Sequence, residues 1–176
     1  MGNVDQMVKL ITTKRLTLAI MMGTIGLVMQ ATVPGIPLGL AGAKLELADI
    51  PVILGASLSG PIGGMICGFL YGIASPAYLA LIPSMMCILA LLGYLSEKRN
   101  DWLSVASAII GSRVIFGPLL SAFPMKHLCF PAFTYFDIWL LCLTYAVPGA
   151  IVSIVVYCVI QKIIPELLLT LKENKS

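Results

Sequence analysis

Apolar residues in this chain come in long blocks rather than in alternation. Nearly uninterrupted runs fall at 16–33, 47–59, 62–74, 77–95, 103–122 and 138–160. A helix that is apolar on every side is surrounded by apolar matter, and one that crosses ~30 Å of hydrocarbon needs about 20 residues. The first, fourth, fifth and sixth runs approach or exceed that length. The second and third fall short of it, and only Gly60-Pro61 separates them. They form either one kinked span, giving five crossings, or a hairpin of two short helices, giving six.

Charge placement decides between the two, because Lys and Arg are retained on the cytoplasmic side. With the amino end inside, six crossings leave Lys9, Lys14, Arg15, Lys98, Arg99, Lys162, Lys172 and Lys175 inside and only Lys44 and Lys126 outside, with Arg113 within a span. Five crossings would leave Lys9, Lys14, Arg15 and Lys126 inside against six basic residues outside, which contradicts the rule. The expectation is an all-α integral membrane protein with six transmembrane helices and both termini cytoplasmic. It forms one transmembrane domain over 1–176, multi-pass in the plasma membrane. A cleaved signal peptide would explain Lys14-Arg15 before an apolar stretch and the small residues Ala41-Gly42-Ala43. However, the apolar run exceeds a signal core of about 7–15 residues, and its removal would restore the wrong charge bias.

Composition sharpens this picture. The chain is 59% hydrophobic and only 11% charged, with mean hydropathy +1.01, whereas an ordinary soluble domain is about one quarter charged. A soluble globular protein is excluded. The excess of 11 basic over 8 acidic residues is too slight to imply a nucleic-acid partner, and the basic residues flank apolar spans instead. The five cysteines include no C-x-x-C pair, and no His stands at ligand spacing, so neither a metal nor a cofactor is expected. Cys67, Cys87, Cys142 and Cys158 lie inside apolar runs and read as small hydrophobes. Cys129 lies in a loop.

Local chemistry marks the helix boundaries. Asp49 followed by Pro51 is a helix start, with a carboxylate to cap free amides and a proline in the first turn; Gly60-Pro61 starts the third helix in the same way. Pro83, Gly117-Pro118 and Pro148-Gly149 are expected to kink or unwind their helices, which a bilayer tolerates only where protein or a cavity satisfies the freed carbonyls. Gly60, Gly64, Gly68 and Gly72 form a bare ridge on the third helix. Ala19-x-x-x-Gly23, with Gly26 beyond it, forms a second small-residue face. Such faces let membrane helices approach closely.

The candidate binding residues gather at the outer side. Two long outer connections, about 34–48 and 124–136, carry Lys44 and Glu46 in the first and Phe123, His127, Phe130, Phe133, Tyr135 and Phe136 in the second. The rings would either stack on a planar ligand or form an interfacial belt. Arg113, within the fifth run, costs ~2.5–3.5 kcal/mol at mid-span and so needs a partner. Asp49 and Asp137 are candidates for a structural ion pair, and an anionic ligand group is the alternative. His127 is the chain's single histidine, which is too few for a metal site.

The stretch from Gly35 through Lys44, Asp49-Ile-Pro51 and Gly60-Pro61-x-x-Gly64 to Tyr71 resembles the substrate-binding S component of energy-coupling-factor (ECF) vitamin transporters. The local match covers about 16–71, and beyond it helix number and topology agree. The resemblance implies a membrane protein that binds a vitamin from outside and works with a transmembrane coupling subunit and two ATP-binding subunits. It also implies that Ala19 and Gly23 contact the coupling subunit, although Gly stands here where the family usually has a second Ala. The Lys-x-x-x-x-Asp-x-Pro segment is most similar to the riboflavin-binding branch. On this reading Lys44, Glu46, Asp49, Arg113, His127, Phe130, Phe133 and Tyr135 bind the substrate. The chain has no G-x-x-x-x-G-K-[ST] phosphate loop, so any ATPase resides on other polypeptides, and the chain itself is not expected to be an enzyme.

Two other classes compete. Gly55-Ala-Ser57-Leu resembles the serine motif of rhomboid-type intramembrane proteases, which pair that Ser with a His on another helix. A stand-alone carrier would show internal inverted repeats, and none is visible.

Overall fold

The protein is described here as a computed structural model covering residues 13–37, 44–74, 81–97 and 102–163. The small-residue stretch at 41–43, positions 77–80 of the fourth run, and Lys9, Lys98, Arg99, Lys172 and Lys175 lie outside the described residues. Helix α1 spans Thr13–Thr32. It is followed by a small antiparallel pair, β1 (Ile36–Pro37) and β2 (Lys44–Leu45), with Ile36 opposite Leu45 and Pro37 opposite Lys44. Helix α2 runs Asp49–Ile73 and α3 runs Ile82–Glu97. A long composite helix begins as α4 (Trp102–Ile109) and widens into a π segment (Ile110–Phe116). It continues as α5 (Gly117–Pro124) and ends in a second π segment, Met125–Cys129. Helix α6 spans Tyr135–Ile163.

Among the described residues four stretches are long and apolar enough to cross a membrane: Thr13–Thr32, Asp49–Ile73, Leu103–Leu128 and Tyr135–Lys162. Their outer faces expose large apolar side chains such as Met21, Leu103, Leu119 and Val155, which is the surface that meets lipid. This is an all-α membrane architecture.

Helix α2 is not a straight rod. Gly60 has φ +80° and ψ −171°, a combination essentially restricted to glycine, and the chain folds back there. The Tyr71 hydroxyl donates to Glu46 Oε2 at 2.7 Å, whereas a continuous helix rising 1.5 Å per residue would hold these positions about 35 Å apart. A β-carbon on Gly55 would lie 2.9 Å from Cys67 Sγ. The limbs 49–59 and 61–73 therefore lie side by side. Pro61 opens the second limb, where its missing donor leaves no bond unmade.

Small residues set the packing around this hairpin. The ridge of Gly64, Gly68 and Gly72 faces α3, running in the opposite direction. A β-carbon on Gly64 would strike the Leu89 carbonyl oxygen, one on Gly68 would sit 2.6 Å from that of Met85, and one on Gly72 would sit 2.6 Å from Ile82 Cγ1. Helix α1 lies along both limbs, with Met22 against Gly55, Gly26 against Val52, and Gly23 against Leu70. Ala19 is fully covered, and its carbonyl accepts a hydrogen bond from Cys67 Sγ at 3.4 Å. At the Gly60 end, Arg15 Nη1 pairs with Glu97 Oε1 at 2.8 Å, tying the start of α1 to the end of α3.

The prolines are absorbed more smoothly than the sequence suggests. Pro83 is the second residue of α3, where no helical donor is missed. Pro148 lies inside α6, which continues past it. The fifth run was expected to end at 122, yet helical structure reaches Cys129 through Pro124. A proline at 124 frees the Leu120 carbonyl four residues earlier, and Ser84 Oγ donates to that oxygen at 3.0 Å. A neighbouring hydroxyl thus replaces the lost amide.

Helix α6 starts at a reciprocal cap. The Asp137 amide donates to Thr134 Oγ1 at 3.2 Å, while the Thr134 amide and hydroxyl donate to Asp137 Oδ2 at 3.0 and 2.6 Å. Asp137 therefore serves the helix end and not Arg113. Replacing this cap with Thr134→Ala is expected to cost about 1 kcal/mol, read as a lower unfolding midpoint in detergent, and Thr134→Ser should retain most of it.

Candidate functional site

A cavity of about 290 Å³ opens between the start of α2, α3, the composite helix and α6, at the end of the bundle away from the Gly60 turn. Its wall is chiefly apolar, with Leu81, Met85 and Ile88 from α3, Pro118 and Met125 from the composite helix, and Leu141 and Ala146 from α6. Glu46, Asp49, Tyr71, Arg113, Ser121 and Tyr145 bring polar groups into it.

The central interaction is an ion pair between Arg113 Nη2 and Asp49 Oδ1, with side chains only 8% and 5% exposed. Asp49 is the first residue of α2, but its carboxylate does not cap that helix as the sequence suggests, and Ala48, at the cap position, makes no side-chain bond. The carboxylate turns to Arg113 because a guanidinium buried without a counter-charge costs more than an uncapped first turn. It still benefits from the positive N-terminal end of the helix dipole. Its other oxygen lies against Gly149, where a β-carbon would collide with it, so a glycine lets the α6 backbone pass. Arg113 Nη1 faces Met85 Sδ at 3.9 Å, while Arg113 Nε is buried with no hydrogen-bond partner.

The composite helix presents its side of the cavity through Arg113, Gly117, Ser121 and Met125, at a constant spacing of four. In an ordinary α-helix each step of four overshoots a straight stripe by about 40°. The π segment at Ile110–Phe116, closed by wider i→i+5 turns, takes back part of that drift. Here Gly117-Pro118 brings loosening rather than a kink.

The residues expected from the sequence divide into two groups. Glu46, Asp49, Arg113 and Phe130 line the cavity. Lys44 is exposed on β2. His127 is exposed and its Nε2 lies 2.9 Å from the Tyr135 hydroxyl. Phe133 is exposed and packs edge-on to Phe130, with ring centroids 5.6 Å apart. Tyr135 lies in a shallow outer groove with Phe123, Phe136 and Trp139. The ring-rich segment therefore turns Phe130 inward and most of its other rings outward, as a belt would. Ala19 and Gly23, expected to meet a coupling subunit, are covered by the 61–73 limb. A small-residue face packs wherever a backbone can approach closely, and here the nearest partner belongs to the same chain.

Sequence reasoning missed Tyr71, Met85, Ser121, Met125, Cys142 and Tyr145. Ser121 and Met125 on the composite helix stand four residues apart and Cys142 and Tyr145 on α6 three, but lipid-facing residues share that spacing, and Tyr71 on α2 and Met85 on α3 carry no local signal. Cys67, Cys87, Cys142 and Cys158 are free thiols, and no metal-binding cluster occurs among the described residues. Ser57 Oγ donates to the Leu54 carbonyl at 3.0 Å, three residues before the Gly60 turn, whereas His127 sits in the ring-rich segment. No family profile, curated protein or solved structure matches the chain.

Proposed function

We propose that this protein is the substrate-binding subunit of an ATP-driven vitamin uptake transporter of the energy-coupling-factor type. The observation that carries this reading is the buried Arg113–Asp49 pair bordering an apolar-walled cavity. An arginine within a membrane span is costly and marks a functional site by default. Sites for small molecules run from about 300 Å³ upward, apolar with a few placed polar groups, and this cavity has room for one ring compound. Phe130 and Tyr145 offer ring faces, and Glu46, Tyr71 and Arg113 offer polar contacts.

In this reading the hairpin at Gly60 gives six crossings, the chain ends lie in the cytoplasm, and the cavity opens outward in the plasma membrane. Riboflavin is the leading substrate because the Lys44 to Pro51 segment is most similar to that branch. A coupling subunit and two ATPases supply the energy, since the chain has no phosphate loop. Docking is assigned to a face other than Ala19 and Gly23.

The test is mass spectrometry of small molecules released from protein purified with its cellular partners. A flavin, visible as a yellow preparation, together with co-purifying ATPase subunits is the expected result. A ligand without ATPases would indicate a stand-alone carrier, and a preparation free of any small ring compound would overturn the reading.

A further inference from the structure

We propose that the outer groove between the composite helix and α6 is a binding site for one membrane phospholipid, which lays an acyl chain among the groove's rings and its phosphodiester against Lys126 and His127. Leu119, Ala122 and Phe123 form one wall and Tyr135, Phe136 and Trp139 the other, around a hollow of about 350 Å³. The groove shares no lining residue with the inner cavity. Apart from Ala122, every one of its side chains is large and exposed.

This shape fits a lipid chain better than another helix. Membrane helices meet over small residues that let their backbones approach, whereas here four rings and a leucine stand out from the surface. Phe136 and Trp139 stack with centroids 6.2 Å apart, and the short side chain of Ala122 gives the groove its depth. A flexible run of methylenes can follow such a slot. A helix about 10 Å across cannot.

Depth and charge define the other end of the occupant. The helical stretches on both sides of the groove are long and apolar enough to cross a membrane, and the groove lies where one ends and the next begins, at headgroup level. Lys126 and His127 follow Ala122 and Phe123 by four residues, one helical turn nearer that level. The His127 ring lies 4.6 Å from that of Phe123, and its Nε2 is 2.9 Å from the Tyr135 hydroxyl, so His127 bridges the two walls. Lys126 Nζ donates to the Pro131 carbonyl at 2.8 Å and to the Phe133 carbonyl. A lysine at an interface is ordinarily free to snorkel into water. Here two carbonyls hold its ammonium close to the start of α6, and the third proton remains for an acceptor. When the Tyr135 hydroxyl donates to Nε2, His127 Nδ1 carries a proton and is a second donor. A phosphodiester brings a negative charge and two free oxygens to this pair, whereas a sugar headgroup brings no charge to Lys126.

The test uses the full chain in nanodiscs, with Trp102→Phe leaving Trp139 as the sole tryptophan. Quenching of Trp139 is compared for phosphatidylcholine and glucosyl diacylglycerol, each with brominated chains and at equal mole fraction. The phospholipid should occupy the groove about three- to fivefold more readily, and Lys126→Met should remove most of that difference. Native mass spectrometry of the unaltered chain after mild delipidation should show one phospholipid retained. Equal quenching by the two lipids, a preference unchanged by Lys126→Met, or retention of no phospholipid would reduce the groove to ordinary lipid contact and overturn the proposal. A neighbouring protein captured by a photoreactive group in place of Phe136 would overturn it too. None of these results bears on the inner cavity as a ligand site.

Discussion

Asp49→Ala is expected to destabilise the protein by about 3–5 kcal/mol, because it leaves the Arg113 guanidinium buried without its counter-charge. Arg113→Ala should cost a similar amount by stranding Asp49. The double variant Asp49→Leu/Arg113→Met removes both charges and fills similar volumes, so it should recover most of the lost stability, as replacement of buried ion pairs by apolar residues often does. Unfolding midpoints of the purified protein in detergent give the comparison, and ligand binding gives a second readout. If Arg113 is a ligand contact as proposed, the rescued double variant should fold but bind weakly, because the polar group it offers to the cavity is gone. Single changes that cost under about 1 kcal/mol each would mean that the pair is solvated, as exposed pairs are.

The second large effect lies at the glycine ridge. Valine at Gly64 or Gly68 should prevent α3 from seating on the 61–73 limb, since the atoms in the way are the backbone carbonyls of Leu89 and Met85. A side chain can rotate away from an intruder, but a helix backbone has to move as a body. Overpacking of ordinary cores costs about 1–3 kcal/mol, and these sites should reach or exceed the upper end. The control is Met65→Val, one residue along the same limb but exposed, where the change should stay within about 0.5 kcal/mol. Equal tolerance of Gly64→Val and Met65→Val would show that the ridge faces no helix.

Much of the architecture was readable before any coordinates. Apolar runs announce helices because the bilayer leaves the backbone few alternatives, and the reversal at Gly60-Pro61 was signalled by where the lysines and arginines fall. Asp49 could be named as a partner of Arg113 because an isolated buried charge is so costly that a carboxylate must be found for it. The sequence was equally open to Asp137, and only the cap made with Thr134 shows why that residue is occupied elsewhere.

What stayed hidden depends on relations between distant segments. The continuation of the composite helix through Pro124 needs a hydroxyl from Ser84, forty residues away in the chain, which no local rule reveals. Met85, Ser121 and Tyr145 look like any other residues of an apolar helix until the bundle sets them around one hollow. The face of Ala19 and Gly23 carries a signal for close packing but none for the identity of the partner. Outside the helices, pattern reading assigned the connection before α2 to plain loop, whereas Ile36 and Leu45 pair as short strands.

The widened stretch between Ile110 and Phe116 makes its helix tolerant of a change in chain length. Removing a single residue there would let the segment tighten to ordinary winding, and the fewer, tighter steps would turn through nearly the same total angle as the present wide ones. Ser121 and Met125 would keep their face while everything beyond the stretch moved along the axis, so the segment works as a slack link that takes up one residue without turning the far half of the helix toward lipid.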